Sequence, residues 1–127
     1  MCLFKLKHKS YQVATEDIVV YKILNNDMKS PYQLFQYELN RLYKKHWDED
    51  FTSYCNENSY LGGNMFHSCV DLNYCNYLYR NNNSQILVKC VIPKGSKYYT
   101  GIVILNTDGL SYKEFGSNQI IIKEICH

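Results

Sequence analysis

Apolar positions along the chain fall into two kinds of pattern, β-branched runs near both ends and helix-like spacing between them. The run Asp17-Ile-Val-Val-Tyr-Lys-Ile-Leu24 is β-branched and aromatic, follows Thr15-Glu16 and stops at Asn25-Asn26-Asp27, which predicts a buried strand. Ser30-Pro31 then opens a stretch with Leu34, Phe35, Tyr37, Leu39, Leu42 and Tyr43; a capping Ser followed by Pro suits a helix N-terminus, so an early helix is expected there. Residues 47–64 turn acidic and then rich in Asn, Ser, Tyr and Gly, and read as loop around at most a short strand.

A second helix is expected over Asp71–Tyr79, where Leu72, Cys75, Leu78 and Tyr79 recur at helical spacing before Asn81-Asn82-Asn83-Ser84 ends it. Gln85–Ile92 is the clearest strand, closed by Pro93-Lys94-Gly95, and Tyr98–Leu105 and Gln119–Ile125 predict two more. Asn106-Thr107-Asp108-Gly109 fits a hairpin turn between Gly101 and Phe115. The sum is one compact α+β domain over residues 1–127, with helices early and central and a mostly antiparallel sheet late.

Composition agrees with a folded single domain. The 127 residues are 46% hydrophobic and 20% charged, enough apolar surface to offset the ordering entropy without room for a second core. Fourteen basic against 12 acidic residues leave a formal charge of +2, too little for a groove that tracks extended nucleic acid. No apolar run reaches the roughly 20 residues of a membrane-spanning helix, and MCLFKLKHK lacks the apolar core and cleavage site of a signal peptide. A cytoplasmic protein with free thiols at Cys2, Cys55, Cys69, Cys75, Cys90 and Cys126 is therefore expected.

Candidate chemistry centres on GGNMFHSC, Gly62–Cys69. His67 and Cys69, with Cys55 and Cys75 nearby in sequence, could be imagined around zinc, but no CxxC or close His pair is present, so no metal is expected and the cysteines read as small apolar core residues. A Cys69–His67 nucleophile needs a base that lowers the thiol pKa, and a two-residue spacing is a weak sign of one. Pro93-Lys94-Gly95-Ser96-Lys97 echoes a phosphate loop but has no earlier glycine, and reads better as a tight turn with exposed lysines. The glycines of GGNMFHSC are expected to deliver His67 and Ser68 to the rim of a pocket with Cys69 facing the core. Strand alternation would put His67 and Cys69 on one face, so this needs a bent segment.

The opening MCLFKLK, then EDIVVYKIL, the SPY of SPYQLFQYEL, GGNMFHSC, VKCVIPKGSKYYTG and FGSNQIII together resemble a family of short uncharacterised bacterial and phage proteins, a likeness that carries no reaction. A fainter resemblance is to the ADP-ribosyltransferase architecture, in which Tyr21-Lys22, Phe66-His67-Ser68, Val91–Gly95 and Ser117-Asn118-Gln119 fall in the family's order. That likeness implies an NAD-type ligand, with Lys22 at the phosphates and Ser68 bracing the site. Gln119 stands where the family has its catalytic glutamate, and a neutral amide cannot stabilise an oxocarbenium-like centre.

The function expected is thus a small binding protein that holds a nucleotide-type ligand without turning it over. Its pocket is made by Tyr21, Lys22, His67, Ser68, Tyr98, Tyr99, Asn118 and Gln119, with no catalytic residue and no cofactor. Thirteen tyrosines favour this, each offering a flat face and a polar tip. The alternatives are a mono-ADP-ribosyltransferase with Glu114 or Glu124 as its carboxylate, a Cys-His hydrolase, and an adaptor that binds a host protein through an exposed Tyr and Asn surface.

Overall fold

The computed structural model describes residues 3–5, 11–31, 34–47, 60–61, 65–79, 84–104 and 111–126. Among the described residues, ten strands and one short helix follow in order: β1 Leu3–Lys5, β2 Gln12–Val13, β3 Ile18–Asn25, β4 Leu42–Lys44, β5 Tyr60–Leu61, β6 Phe66–Cys69, α1 Leu72–Tyr79, β7 Gln85–Ile92, β8 Lys97–Ile104, β9 Ser111–Ser117 and β10 Gln119–Cys126. They form one sheet in the order β4-β10-β7-β3-β6-β9-β8-β1-β5, with β2 beside β8. All strand pairs are antiparallel. The domain is therefore nearly all sheet, and the α+β expectation is corrected.

The correction lies chiefly in the stretch after Ser30. Leu34 N–H does donate to the Ser30 carbonyl at 3.0 Å, one helical turn's worth of bonding, and Phe35 N–H donates to Ser30 Oγ at 2.9 Å. The helix cannot propagate, because Leu34 and Asn40 adopt left-handed φ of 54° and 62°. An isolated bridge joins Lys29 to Gln36, and the chain then runs alongside Ile122 at Leu39 before forming β4. The aromatic residues of this stretch cluster instead, with Tyr37 buried: its ring lies 5.1 Å from Tyr43 and 4.9 Å from the partly exposed Phe35, and Phe35 meets Phe66 edge-on at 6.1 Å.

The strongest β-branched runs form the centre of the sheet. β3 and β7 pair along all eight residues, from Ile18 opposite Ile92 to Asn25 opposite Gln85. β10 pairs with the other side of β7, and its register slips between Ile122 and Glu124, making Lys123 the extra residue of a bulge. On the far side, β3 touches β6 through one residue pair only, Tyr21 opposite Cys69. β6 continues into β9, and β9 is separated from β10 by Asn118 alone. The path β10-β7-β3-β6-β9 thus begins and ends on one continuous stretch of chain, so the sheet rolls up around a core that includes Val20, Leu24, Val88, Ile92, Ile120 and Ile122, all fully buried. A second cluster, with Met65, Cys69, Cys75, Leu87, Tyr99 and Trp47, lies on the opposite face, where α1 packs.

Two turns fix this arrangement. At Asn118 the side-chain Oδ1 accepts from Lys97 N–H at 2.8 Å, while the Asn118 N–H donates to Lys97 O and its carbonyl accepts from Lys45 N–H. Between β7 and β8, Gly95 takes φ of 89°, a conformation that glycine adopts without penalty. At Gly116, directly opposite His67, a Cβ would land on the buried Met65 Sδ, so the position admits only glycine without repacking.

Candidate functional site

The amides of the Pro93–Lys97 loop already have partners. Lys94 N–H donates to the Asp17 carboxylate at 2.9 Å, Gly95 N–H to Ala14 O at 2.8 Å and Ser96 N–H to Pro93 O at 3.0 Å. A carboxylate of the protein itself occupies the position a phosphate would take, so the loop works as a hairpin turn.

The eight residues expected to line one pocket separate onto two faces. Register places Lys22 opposite Val88, between Val20 and Leu24, so its side chain enters the rolled core; Ser68 and Tyr98 share that side, with Tyr98 stacked 4.8 Å from Phe115. Tyr21, His67 and Tyr99 point to the other face, where Tyr99 packs 5.6 Å from Trp47. Asn118 and Gln119 sit at the β9–β10 junction, Asn118 as a backbone cap and Gln119 paired with Lys44 of β4. Gly62 and Gly63, expected to shape the turn before His67, lie outside the described residues; from Met65 onward the segment is strand, with His67 and Ser68 alternating as strand geometry requires.

The seam between β3 and β6 gathers the strongest chemistry. Lys22 Nζ donates to the His67 carbonyl and stands 5.8 Å from the centre of the Tyr37 ring. Burial pulls the Lys22 pKa below its ordinary value, against the opposing pull of Cys90, Cys69 and Glu114. On the other side of β6, Cys69 lies directly opposite Glu114 of β9 and its thiol donates to Glu114 Oε1 at 3.5 Å. Burial raises the Glu114 pKa, favouring the neutral acid. The Cys69 thiol is pushed up by its hydrogen bond with Cys75 and by burial, and burial pushes Cys90 up to about 12.

This chemistry is the reverse of an activated nucleophile. Cys69 keeps its proton and engages a carboxyl group and another thiol. Glu114, one of the two carboxylates considered for ADP-ribosyl transfer, is half-buried and thiol-bonded, while Glu124 is exposed and lies 3.7 Å from Lys89. Ser68 Oγ is buried and finds no hydrogen-bond partner among the described residues. Cys69, Cys75, Cys90 and Cys126 carry free thiols, and among the described residues no group of three or more His, Cys, Asp or Glu could hold a metal ion. Nor is any described helix long and apolar enough to cross a membrane.

A different surface stands out on the outside. In the stretch that leads into β4, Leu34 is 61% exposed, Leu39 45% and Leu42 42%. Two of the three non-glycine left-handed residues of the fold, Leu34 and Asn40, lie in this stretch, and a bulky aliphatic residue in that conformation is costly. β4 ends the sheet, with no strand on its outer side among the described residues. Glu38 N–H donates to Tyr43 Oη at 2.7 Å, Asn40 N–H to Ile122 O at 2.7 Å, and Arg41 meets Glu38 at 3.4 Å, so the segment is held in place while its leucines face solvent.

Sequence reasoning missed this surface because the same leucines look like the buried stripe of a helix. The available signal was Asn40, a residue that tolerates left-handed φ and interrupts the stripe.

Compared with protein-family models, with curated proteins and with solved structures, the chain finds no match.

Proposed function

We propose that this protein is an interaction adaptor that docks a partner polypeptide on the β4 edge of its sheet. The observation that carries the reading is the exposed leucine set Leu34, Leu39 and Leu42, the last of them on β4, whose outer side pairs with no strand among the described residues. Scattered exposed aliphatic residues are ordinary, whereas three within nine residues at an open sheet edge match the way extended segments are captured by strand addition. The interior cluster fits a structural role beside this, because the buried Cys69 thiol and the half-buried Glu114 carboxyl group both favour their protonated forms.

The test is site-directed photocrosslinking in cells that produce the protein. A photoreactive residue replacing Leu39 is expected to give a discrete adduct with another polypeptide, abolished when Leu42→Asp is added. The same group replacing Thr15, exposed before β3, serves as the control. Equal adducts at both positions, or none at Leu39, would overturn the adaptor reading.

A second reading, a nucleotide-type ligand held without turnover, is favoured by one observation: Lys22, Ser68 and Tyr98 share the enclosed face, and the Ser68 hydroxyl there finds no hydrogen-bond partner among the described residues. Thermal-shift measurements against NAD, ADP-ribose and linear and cyclic nucleotides test it. A ligand at about 100 times its Kd should add about 2.7 kcal/mol of stability, and the gain should disappear in Lys22→Met. Absence of any shift would leave the adaptor reading alone.

A further inference from the structure

We infer that Lys22 is a nucleophilic amine, a site at which the protein condenses reversibly with a small aldehyde. Its reactivity is independent of the β4 edge and of any partner polypeptide.

An opening in the sheet sets where the amine stands. β3 and β6 share the single pair Tyr21–Cys69, and from Lys22 onward β3 is bonded to β7 alone among the described residues. Carbonyls on the facing side of the gap are met by side chains instead of a strand: Lys22 Nζ donates to His67 O, and Lys45 Nζ reaches Met65 O at 3.4 Å. Lys22 is half-buried, so solvent reaches its side chain, although Val20 and Leu24 on either side of it are fully buried. The Tyr37 and Phe66 rings, 6.3 Å apart, flank the two ammonium groups and narrow the entry, which suits a carbonyl compound of a few atoms.

Three features favour the uncharged, reactive amine. Carbonyls two residues apart along a strand are separated by about 7 Å, so the two lysine nitrogens bound to them lie within the roughly 8 Å over which charges interact at physiological salt. The Lys45 pKa is lowered accordingly, by burial and then by Lys22. Burial also lowers the Lys22 pKa. The groups that would hold its charge are the thiols of Cys90, Cys69 and Cys75 and the carboxyl of Glu114, and of these Cys90, Cys69 and Glu114 favour their protonated, neutral forms. A lysine desolvated beside a second cation is the arrangement that makes an amine nucleophilic near neutral pH.

The condensation needs nothing beyond the aldehyde. With one N–H held on the His67 carbonyl, the nitrogen lone pair is directed away from β6. The nitrogen adds to the aldehyde carbon, the carbonyl π pair passes to oxygen, and that oxygen leaves as water with both amine hydrogens, forming the C=N bond of an imine. The protonated imine keeps an N–H for the His67 carbonyl.

Reductive ethylation of the whole protein tests the inference, with acetaldehyde as the probe, cyanoborohydride to reduce the imine to a stable ethyl-lysine, and peptide mass mapping to follow each lysine at pH 7. Every unit by which a lysine pKa is lowered leaves about ten-fold more free amine at that pH. Lys22 is therefore expected to react about ten-fold or more faster than the exposed Lys44, Lys94 and Lys123, and the advantage should vanish in concentrated urea. Without cyanoborohydride the adduct should be lost on dialysis. Lys45→Met should slow Lys22 several-fold by removing the neighbouring charge, and Lys45→Arg should restore the parent rate. The comparison among lysines of the parent protein needs no variant, so it decides the matter even where Lys45→Met fails to fold. Lys22 modified no faster than Lys44, or equally fast in the folded protein and in urea, would overturn the inference.

Discussion

Replacing Ile122 by alanine is expected to lower the unfolding free energy by about 2–5 kcal/mol. The side chain is fully buried on β10, opposite Cys90 of β7, within the rolled core. Its backbone is also engaged on both sides: the carbonyl accepts from Asn40 N–H at 2.7 Å, and the register of β10 breaks immediately after it. Collapse of the surrounding walls into the space left by the deleted atoms would require β10 to move relative to β7 and to the segment carrying Leu39 together, so most of the cavity should persist. Ile122→Val, which removes one methylene, should cost about 0.5–1.5 kcal/mol. Leu42→Ala, on the exposed edge two strands away from β3, should fall within about 0.5 kcal/mol of the parent. Urea unfolding of the three variants checks the order. A loss below 1 kcal/mol for Ile122→Ala would mean that the roll closes elsewhere than around this residue.

The parts of the fold that could be read from the sequence are those in which local chemistry and tertiary packing agree. Ile18–Asn25 and Gln85–Ile92 are rich in β-branched residues and pair along their full length at the centre of the sheet, where both faces are covered. Pro93–Lys97 is a turn because Pro, Gly and Ser suit that geometry, and Asp17 arrives from 77 residues away to satisfy it. The stretch from Ser30 to Tyr43 misleads because apolar residues three and four apart are compatible with a helix and equally with a meandering edge. The left-handed Leu34 and Asn40 decide between them, and the pairing of Leu39 with Ile122 that accompanies the meander is a tertiary fact no local pattern contains.

The eight residues expected around one pocket separate onto two faces for a reason that was legible. Tyr21 with Lys22, His67 with Ser68, and Tyr98 with Tyr99 are adjacent pairs within predicted strands or strand-like segments, and period-two alternation sends the members of each pair to opposite faces. One member of each of these three pairs therefore lies on the face opposite its neighbour. What could not be read was the seam itself. That Lys22 reaches the His67 carbonyl, and that Cys69 stands opposite Glu114, depend on β3 meeting β6 and β6 meeting β9, pairings between segments 45 residues apart.

That seam supports the other large effect. Lys22→Ala should cost about 2–5 kcal/mol, since a long side chain is deleted from the core, with a further ~1 kcal/mol for leaving the His67 carbonyl without its donor. Lys22→Met retains the volume and loses only the donor, and it also removes an ammonium group whose burial disfavours its charge, so it should be close to neutral at pH 7. The pH dependence has a definite sign for each group. Glu114 has a folded pKa above its ordinary 4.5, so its contribution to stability is complete below that value and is lost as pH rises through the folded pKa. Lys22 has a folded pKa below its ordinary 10.5, so its contribution is complete above that value and is lost as pH falls through the folded pKa. Between these limits the parent protein bears the desolvation of whichever of the two groups is charged. The double variant Lys22→Met/Glu114→Gln titrates at neither position. Relative to the parent, its stability should be highest at intermediate pH and should fall back toward both pH 4 and pH 10.5. Urea titrations at those three values measure the difference directly. A flat difference would place both groups in water, and a minimum at neutral pH would mean that the attraction between the ammonium and the carboxylate outweighs their burial.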